Sequence, residues 1–271
     1  MSGVVLSERQ ARVRWITINR PERHNALDRE TIFALRDAVT ECAGDDESRV
    51  VVLTGAGGAF SSGADLRAGR EAQSAPDEDV LVDGFNAAIR AVWNLPKPVI
   101  AAVGGAAAGF GCSLALAADI RLASSAARFS LIFVKRGLTL DGGASYFLPR
   151  LAGLRGIELA LTGELINADE ALRLGLVNRM MPQEEFRSQV ADYAERLAKN
   201  APLALAAIRP RFIVPWGAVW MRSSPMKWMN SDAWAARKIF ARGWPPFLRS
   251  ANQCIREDRG HTRDGAFFYC R

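Results

Sequence analysis

The chain has 271 residues, 49% of them hydrophobic, and a formal net charge of +6 at pH 7. A chain of this length can bury a sizeable core as one α/β domain, which argues against a disordered protein. No apolar run reaches the ~18–20 residues that span a bilayer, and the N-terminus lacks the basic and apolar segments of a signal peptide. We therefore expect a cytoplasmic protein without membrane insertion.

The basic charge is concentrated in the C-terminal part of the chain. Residues 209–271 hold twelve Lys and Arg against four Asp and Glu, whereas residues 1–208 carry a small negative charge. Since the main part of the chain is not basic, nucleic acid is not an expected partner. The four cysteines show no C-x-x-C spacing and the only histidines are His24 and His261, so no metal site is predicted.

Short apolar strands and helices alternate in the first half of the sequence. Residues 15–19 and 49–54 are β-branched runs that predict strands, the second of them buried on both faces. Asp28 is a good N-cap for an amphipathic helix to about Cys42. A helix over about 80–93 then leads to a strand at 99–103. This order indicates an α/β fold.

Two loops of small residues follow the carboxyl ends of predicted strands. Residues 60–66 (FSSGADL) follow the first, and a glycine-rich turn at 103–111 (VGGAAAGFG) opens an apolar helix. A helix start of this kind exposes unpaired N–H groups that bind oxyanions. Because α/β proteins bind ligands at the carboxyl ends of strands, we expect N–H groups of both loops to converge on one oxygen atom.

The second half predicts further elements around a third glycine turn. Asp119 is interpreted as a structural residue at a helix–strand junction, and Asp141-Gly142-Gly143 forms the turn. Helices are predicted over 151–161, 168–175 and 182–198, with a short strand over 176–181.

Several segments resemble the signature segments of the crotonase (enoyl-CoA hydratase/isomerase) superfamily. They are NRPERHNAL at 19–27, FSSGADL at 60–66, GAAAGFG at 105–111, LALAAD at 114–119 and LPRLAG at 148–153. Their order and spacing match over about residues 4–208. The resemblance implies an α/β fold of the crotonase type: a spiral of ββα units with two nearly perpendicular sheets and a helical C-terminal region. Such proteins usually form a homotrimer or a dimer of trimers.

The resemblance divides the chain into a crotonase-like spiral core at 1–200 and a C-terminal helical, trimerisation region at 201–271. The likeness ends at about Ile208. Five of the seven tryptophans lie beyond it, among repeated prolines, where related enzymes have acidic amphipathic helices. We expect this tail to pack poorly and to contribute little to the acyl site, although a divergent lid is an alternative.

The resemblance also implies a substrate and the groups that bind it. The substrate is an acyl-CoA thioester, whose carbonyl oxygen is held by the backbone N–H groups of Ala64 and Phe110. Arg23 and His24 lie near the nucleotide end, or are ordinary surface groups. Further coenzyme A contacts are implied for Ala64, Asp65, Leu66, Arg67 and Phe110. Coenzyme A is part of the substrate, so no separate cofactor is expected.

The catalytic acid or base is predicted by comparison within the superfamily. The two glutamates of the hydratases map onto Ser113 and Phe133, neither of which can act as a carboxylate. Asp141 lies where isomerases often carry an acid, as in enoyl-CoA isomerases and the ring-epoxide isomerase of phenylacetate degradation. One carboxylate suffices to move a double bond, so an isomerase is predicted. A hydratase with another base, a non-catalytic acyl-CoA binder, and a helix-capping role for Asp141 remain alternatives.

Overall fold

The computed structural model describes residues 3–65 and 80–213 of the chain. This part of the chain contains nine strands in two sheets. They are β1 Val5–Gln10, β2 Val13–Ile18, β3 Val50–Gly55, β4 Val99–Val103, β5 Ala106–Ala108, β6 Ile120–Ser124, β7 Arg128–Ser130, β8 Leu165–Asn167 and β9 Arg179–Met181. The large sheet has the order β1-β2-β3-β4-β6-β9, and the small one has the order β5-β7-β8.

The large sheet is parallel except at its β1–β2 hairpin. β3 and β4 lie in its centre, with Val51 paired to Val99 and Leu53 to Ala101. Both strands are buried along almost their whole length. Burial on both faces explains why their sequences are continuous apolar runs rather than alternating ones.

Seven α-helices surround these sheets in the residues described. They are α1 Arg29–Glu41, α2 Ala87–Asn94, α3 Phe110–Ala117, α4 Ala144–Thr162, α5 Ala168–Arg173, α6 Phe186–Ala198 and α7 Pro202–Ile213. The Asp28 side chain accepts a hydrogen bond from the Thr31 N–H at 2.9 Å, which confirms the predicted N-cap of α1. Within the described ranges, no helix combines the length and hydrophobicity needed to cross a bilayer.

Apolar clusters cover the two faces of the large sheet. On one face, Ile16, Leu53 and Ala101 belong to the cluster that includes the buried side chains of α1, α2 and α3. On the other face, Trp15 and Val52 pack in the cluster of α6. Every residue of α3 is buried, so this helix is apolar on all sides and fixes the glycine-rich turn before it to the core.

The structure corrects the predicted boundaries in the second half of the chain. α4 begins at Ala144 rather than at residue 151, and Gly153, with φ 53° and ψ −135°, interrupts it. The strand predicted over 176–181 is shorter, Arg179–Met181. α7 continues past Ile208 to Ile213. The prediction of a poorly packed tail after about Ile208 falls almost entirely on residues 214–271, which lie outside the described residues.

Candidate active site

The buried side chain of Asn25 joins the first two loops of the site. Its amide donates hydrogen bonds to the Ala56 and Ala59 carbonyls, each at 2.8 Å, and accepts one from the Arg20 N–H at 2.9 Å. Asn25 has φ 55°, a left-handed conformation that asparagine adopts more readily than most residues. The segment 20–27 is thereby tied to the turn that follows β3.

Ser61 extends this connection toward Ala64. Its hydroxyl donates to the Asn25 carbonyl at 2.8 Å and accepts from the Gly63 N–H at 3.2 Å. Ser61 and Gly63 are both buried. The loop after β3 is therefore fixed by side-chain hydrogen bonds immediately before the residue that was predicted to donate to a substrate.

The Ala64 N–H points away from the loop that holds it. The Gly63 carbonyl accepts from the Leu27 N–H at 2.8 Å, and the Asp65 N–H donates to the Leu27 carbonyl at 2.9 Å. In a planar trans peptide the carbonyl of Gly63 and the N–H of Ala64 point in opposite directions. Among the described residues the Ala64 N–H has no acceptor, and the residue is exposed.

The Phe110 N–H is the second unpaired donor. Phe110 is the first residue of α3, and the Gly109 carbonyl accepts from the Ser113 N–H at 3.1 Å. The Phe110 N–H, on the same peptide unit as that carbonyl, therefore points outward from the helix start. No acceptor for it is found within residues 3–65 and 80–213.

The two loops approach each other next to Gly63. A Cβ atom placed on Gly63 would lie 2.7 Å from the Ala108 carbonyl oxygen and 3.1 Å from the Phe110 nitrogen. Loops that are 46 positions apart in sequence therefore approach closely, and only glycine leaves the space between them open. The unpaired Phe110 N–H at the start of a helix is the kind of group that binds an oxyanion or a polarised carbonyl.

The Phe110 side chain packs in the core. It is 2% exposed, and its ring meets Phe85 edge to face at a centroid distance of 4.7 Å. The ring therefore contributes to packing, while the role expected for this residue needs only its backbone N–H.

Asp141 lies on a turn beside the first turn of α3. Its backbone carbonyl accepts from the Ser113 hydroxyl at 2.9 Å and from the Ala144 N–H at 3.2 Å. Its carboxylate accepts from the Gly142 N–H, and the residue is half-buried. α4 begins at Ala144 with Gly143 as N-cap and no side-chain cap. The helix of the capping alternative is therefore present, beginning two residues after Gly142, but its N-cap is Gly143 and not Asp141.

The positions expected to carry hydratase glutamates are both buried. Ser113 is 0% and Phe133 is 7% exposed. Cys112, next to Ser113, is also enclosed, and burial raises the pKa of its thiol to about 12. A thiol with this pKa stays protonated at neutral pH and is not a nucleophile.

Asp65 stabilises its loop through an ion pair. The Arg20 guanidinium lies 2.8 Å from an Asp28 oxygen and 3.3 Å from an Asp65 oxygen. Asp119 likewise has a structural contact, because its carboxylate accepts from the Val99 N–H at 2.7 Å. This agrees with its interpretation as a junction residue.

The predicted coenzyme A contacts are described only in part. Arg23 and His24 are exposed, and the His24 carbonyl accepts from the Ser62 N–H at 3.0 Å, so they border the loop before Ala64. Leu66 and Arg67 lie outside the described residues.

A cavity of about 470 Å³ lies away from this site, between β9 and α6. Arg179, Tyr193 and Arg196 are among the residues that line it. None of the site residues that the structure describes borders it.

The two sheets and the helices around them are those of a crotonase-type α/β protein. The sequence profile described as "Enoyl-CoA hydratase/isomerase" matches residues 8–215. The chain belongs to this family, whose members are enzymes that act on CoA thioesters.

Relatives within the family have different activities in their names. Carnitinyl-CoA dehydratase of Salmonella paratyphi A is 42% identical over 196 residues, which cover 72% of this chain and 74% of that protein. An enoyl-CoA hydratase structure from Mycobacterium avium subsp. paratuberculosis K-10 aligns with a TM-score of 0.73 at 36% identity, over 82% of this chain and 88% of that one. A structure of a monofunctional enoyl-CoA isomerase from M. smegmatis aligns with a TM-score of 0.67 at 34% identity, over 80% of this chain and 94% of that one.

Proposed function

We propose that this chain is an isomerase that moves the double bond of an enoyl-CoA thioester, with Asp141 as the base that carries the proton. The observation behind this proposal is the placement of carboxylates. Ser113 and Phe133 occupy the positions at which hydratases carry glutamates, whereas Asp141 lies on a turn packed against the helix start that presents the Phe110 N–H.

The reaction requires one base and one oxyanion site. The Asp141 carboxylate removes a proton from C2 of a 3-enoyl thioester, and the electron pair of that C–H bond moves onto the thioester oxygen as a dienolate. The protonated Asp141 then returns the proton to C4, and the double bond forms between C2 and C3. Protons and electrons balance without an external oxidant, water or cofactor.

The paired N–H groups supply the larger part of the stabilisation. The thioester oxygen gains negative charge as the dienolate forms, and the Ala64 and Phe110 N–H groups are already unpaired before the substrate arrives. Removing one such donor typically costs roughly 3–4 kcal/mol of transition-state stabilisation. We expect a ligand-bound structure to place both nitrogens about 2.7–3.1 Å from that oxygen.

A dehydratase or hydratase is the second candidate. It is favoured by the 42% identity to a protein named carnitinyl-CoA dehydratase. Addition or loss of water requires a group that activates or protonates water, and with Ser113 and Phe133 at the glutamate positions Asp141 alone would have to do so. A single carboxylate fits the isomerase more directly.

The test incubates the full-length protein separately with a 3-enoyl-CoA and a 2-enoyl-CoA. We expect conjugation of the first and no efficient hydration of the second. Asp141→Asn should lower the isomerisation kcat by about 10²–10⁴-fold, because a positioned general base contributes that much. Binding of the acyl-CoA, followed by calorimetry, should change little.

Asp169→Asn is the matched control, since it removes one exposed carboxylate on α5 and should isomerise like wild type. Efficient hydration by the wild-type protein would favour the second candidate. Isomerisation by Asp141→Asn at the wild-type rate would exclude Asp141 as the base. Tight acyl-CoA binding with no turnover of either substrate would indicate a binding protein.

A further inference from the structure

We infer that Ser113 is a positioning residue for Asp141: its hydroxyl sets the orientation of the carboxylate that the proposed isomerisation uses. The inference rests on the proposed function, because it concerns the same turn. It gives a role to a buried serine at a position where a hydratase would carry a catalytic glutamate.

The first argument is the path of hydrogen bonds. Ser113 is 0% exposed, and its hydroxyl donates to the Asp141 carbonyl at 2.9 Å. That carbonyl and the Gly142 N–H belong to one planar peptide unit and point in opposite directions. The Gly142 N–H in turn donates to the Asp141 carboxylate. Fixing the carbonyl therefore fixes the N–H that holds the carboxylate.

The second argument is the close packing of the turn against α3. Gly142 has φ 60°, and a Cβ atom placed on it would lie 2.8 Å from the Ser113 Cβ and 3.0 Å from a ring carbon of Phe110. The Ser113 N–H also donates to the Gly109 carbonyl at 3.1 Å. One helical turn thus fixes both the Phe110 N–H and the turn that carries the proposed base.

Ser113→Ala tests this role in the full-length protein with a 3-enoyl-CoA as substrate. Without the hydroxyl, the Asp141 carbonyl loses its hydrogen bond to residue 113, so the Asp141–Gly142 peptide unit can rotate. The Asp141 carboxylate that bonds the Gly142 N–H then also samples unproductive orientations. We expect kcat to fall about tenfold, the equivalent of one hydrogen bond. KM should not change, because Ser113 does not contact the thioester oxygen or coenzyme A in the proposed complex.

A double-mutant cycle separates positioning from a general structural role. In an Asp141→Asn background, where no carboxylate remains to be oriented, adding Ser113→Ala should leave the residual rate unchanged. A serine that acted only through the stability of α3 would lower the rate by the same factor in both backgrounds.

One further variant completes the design. Thr54→Val is the matched control: this threonine is buried in β3, and its hydroxyl donates to the Ala102 carbonyl at 2.9 Å. It should lower the urea midpoint about as much as Ser113→Ala does while keeping the wild-type kcat.

The outcomes distinguish this inference from the proposed function. Wild-type kcat in Ser113→Ala, or the same loss in both backgrounds, would overturn the positioning role while Asp141→Asn remained inactive. Full activity of Asp141→Asn would overturn the proposed function itself, and the positioning role with it. A tenfold loss that appears only when Asp141 is present supports both.

Discussion

The two halves of the candidate site are held by different kinds of contact. The first half, residues 20–27 and 56–65, is fixed by a buried amide, a hydroxyl and an ion pair. The second half, residues 109–113 and 141–144, is fixed by apolar packing and one side-chain hydroxyl. Loss of a polar side chain that holds the first half should therefore act mainly on stability, and loss of a side chain in the second half mainly on turnover.

Gly63 lies where the two halves meet, and its substitution should have the largest effect in this comparison. Its φ is 92°, and the Cβ of Gly63→Ala would lie 2.7 Å from the Ala108 carbonyl oxygen. The halves must separate to admit it, so one of the two donors is lost. We expect kcat/KM to fall by about 10²–10³-fold, measured by steady-state kinetics on a 3-enoyl-CoA.

Gly44→Ala is the control for this substitution. A Cβ atom on Gly44 meets nothing within 4 Å, so the variant should keep the activity of wild type. Equal activity of Gly63→Ala and Gly44→Ala would show that the gap beside the Phe110 N–H is not used in turnover.

Asn25→Ala should have the next largest effect, and on stability. It leaves the half-buried Ala56 and Ala59 carbonyls and the Arg20 N–H without their side-chain partner. Because solvent replaces part of this bonding, we expect the free energy of unfolding to fall by about 1–3 kcal/mol, measured by urea denaturation. Asn200→Ala, which removes an exposed amide bonded to the Leu197 carbonyl, should change it little.

The prediction is wrong if Asn25→Ala unfolds at the same urea concentration as wild type but loses turnover. Such a result would mean that the polar contacts of the first half act in substrate binding and not in stability.

Asp65→Asn should have the smallest effect. Arg20 keeps its shorter contact with Asp28 at 2.8 Å, so the guanidinium retains an anionic partner. We expect a fall in Tm that is smaller than the fall caused by Asn25→Ala, because the asparagine keeps the size of the side chain and one amide oxygen as an acceptor. A loss as large as that of Asn25→Ala would mean that the ion pair, and not the amide, dominates the first half.

Local sequence signals were sufficient for the scaffold of the site. The apolar runs of β3 and β4 and the cap at Asp28 each depend on neighbours along the chain, and all three are confirmed. The parallel pairing of β3 with β4 brings the loops that follow them to the same edge of the sheet, whereas the convergence of the Ala64 and Phe110 N–H groups on one oxygen stays a prediction.

Contacts between distant segments could not be read from the sequence. At Ser113 the sequence shows only that a hydratase glutamate is absent. Its hydrogen bond to the Asp141 carbonyl joins residues 28 positions apart, and no local pattern predicts such a contact. Asn25 lies in the segment NRPERHNAL at 19–27, but the sequence assigns it no role. Asparagine is enriched in the left-handed conformation that Asn25 adopts, so its presence in a turn is the signal that indicates a structural role.

The predicted helix over 151–161 begins later than α4 for a different reason. The glycines at 142 and 143 and the proline at 149 predict a turn, but Phe147 and Leu148 are buried in the core. Their burial offsets the hydrogen bond that Pro149 cannot make, so the helix begins before the proline.

The parallel order of the large sheet has a consequence for how the enzyme forms. β2 pairs with β3, and β3 with β4, only after long intervening segments have been closed into loops. Sheets built from such non-local pairs fold slowly, because loop-closure entropy is lost before the pairing contacts compensate for it. The loops that follow β3 and β4 come together only once these strands are in register. The proposed activity would therefore require that slow pairing to be complete.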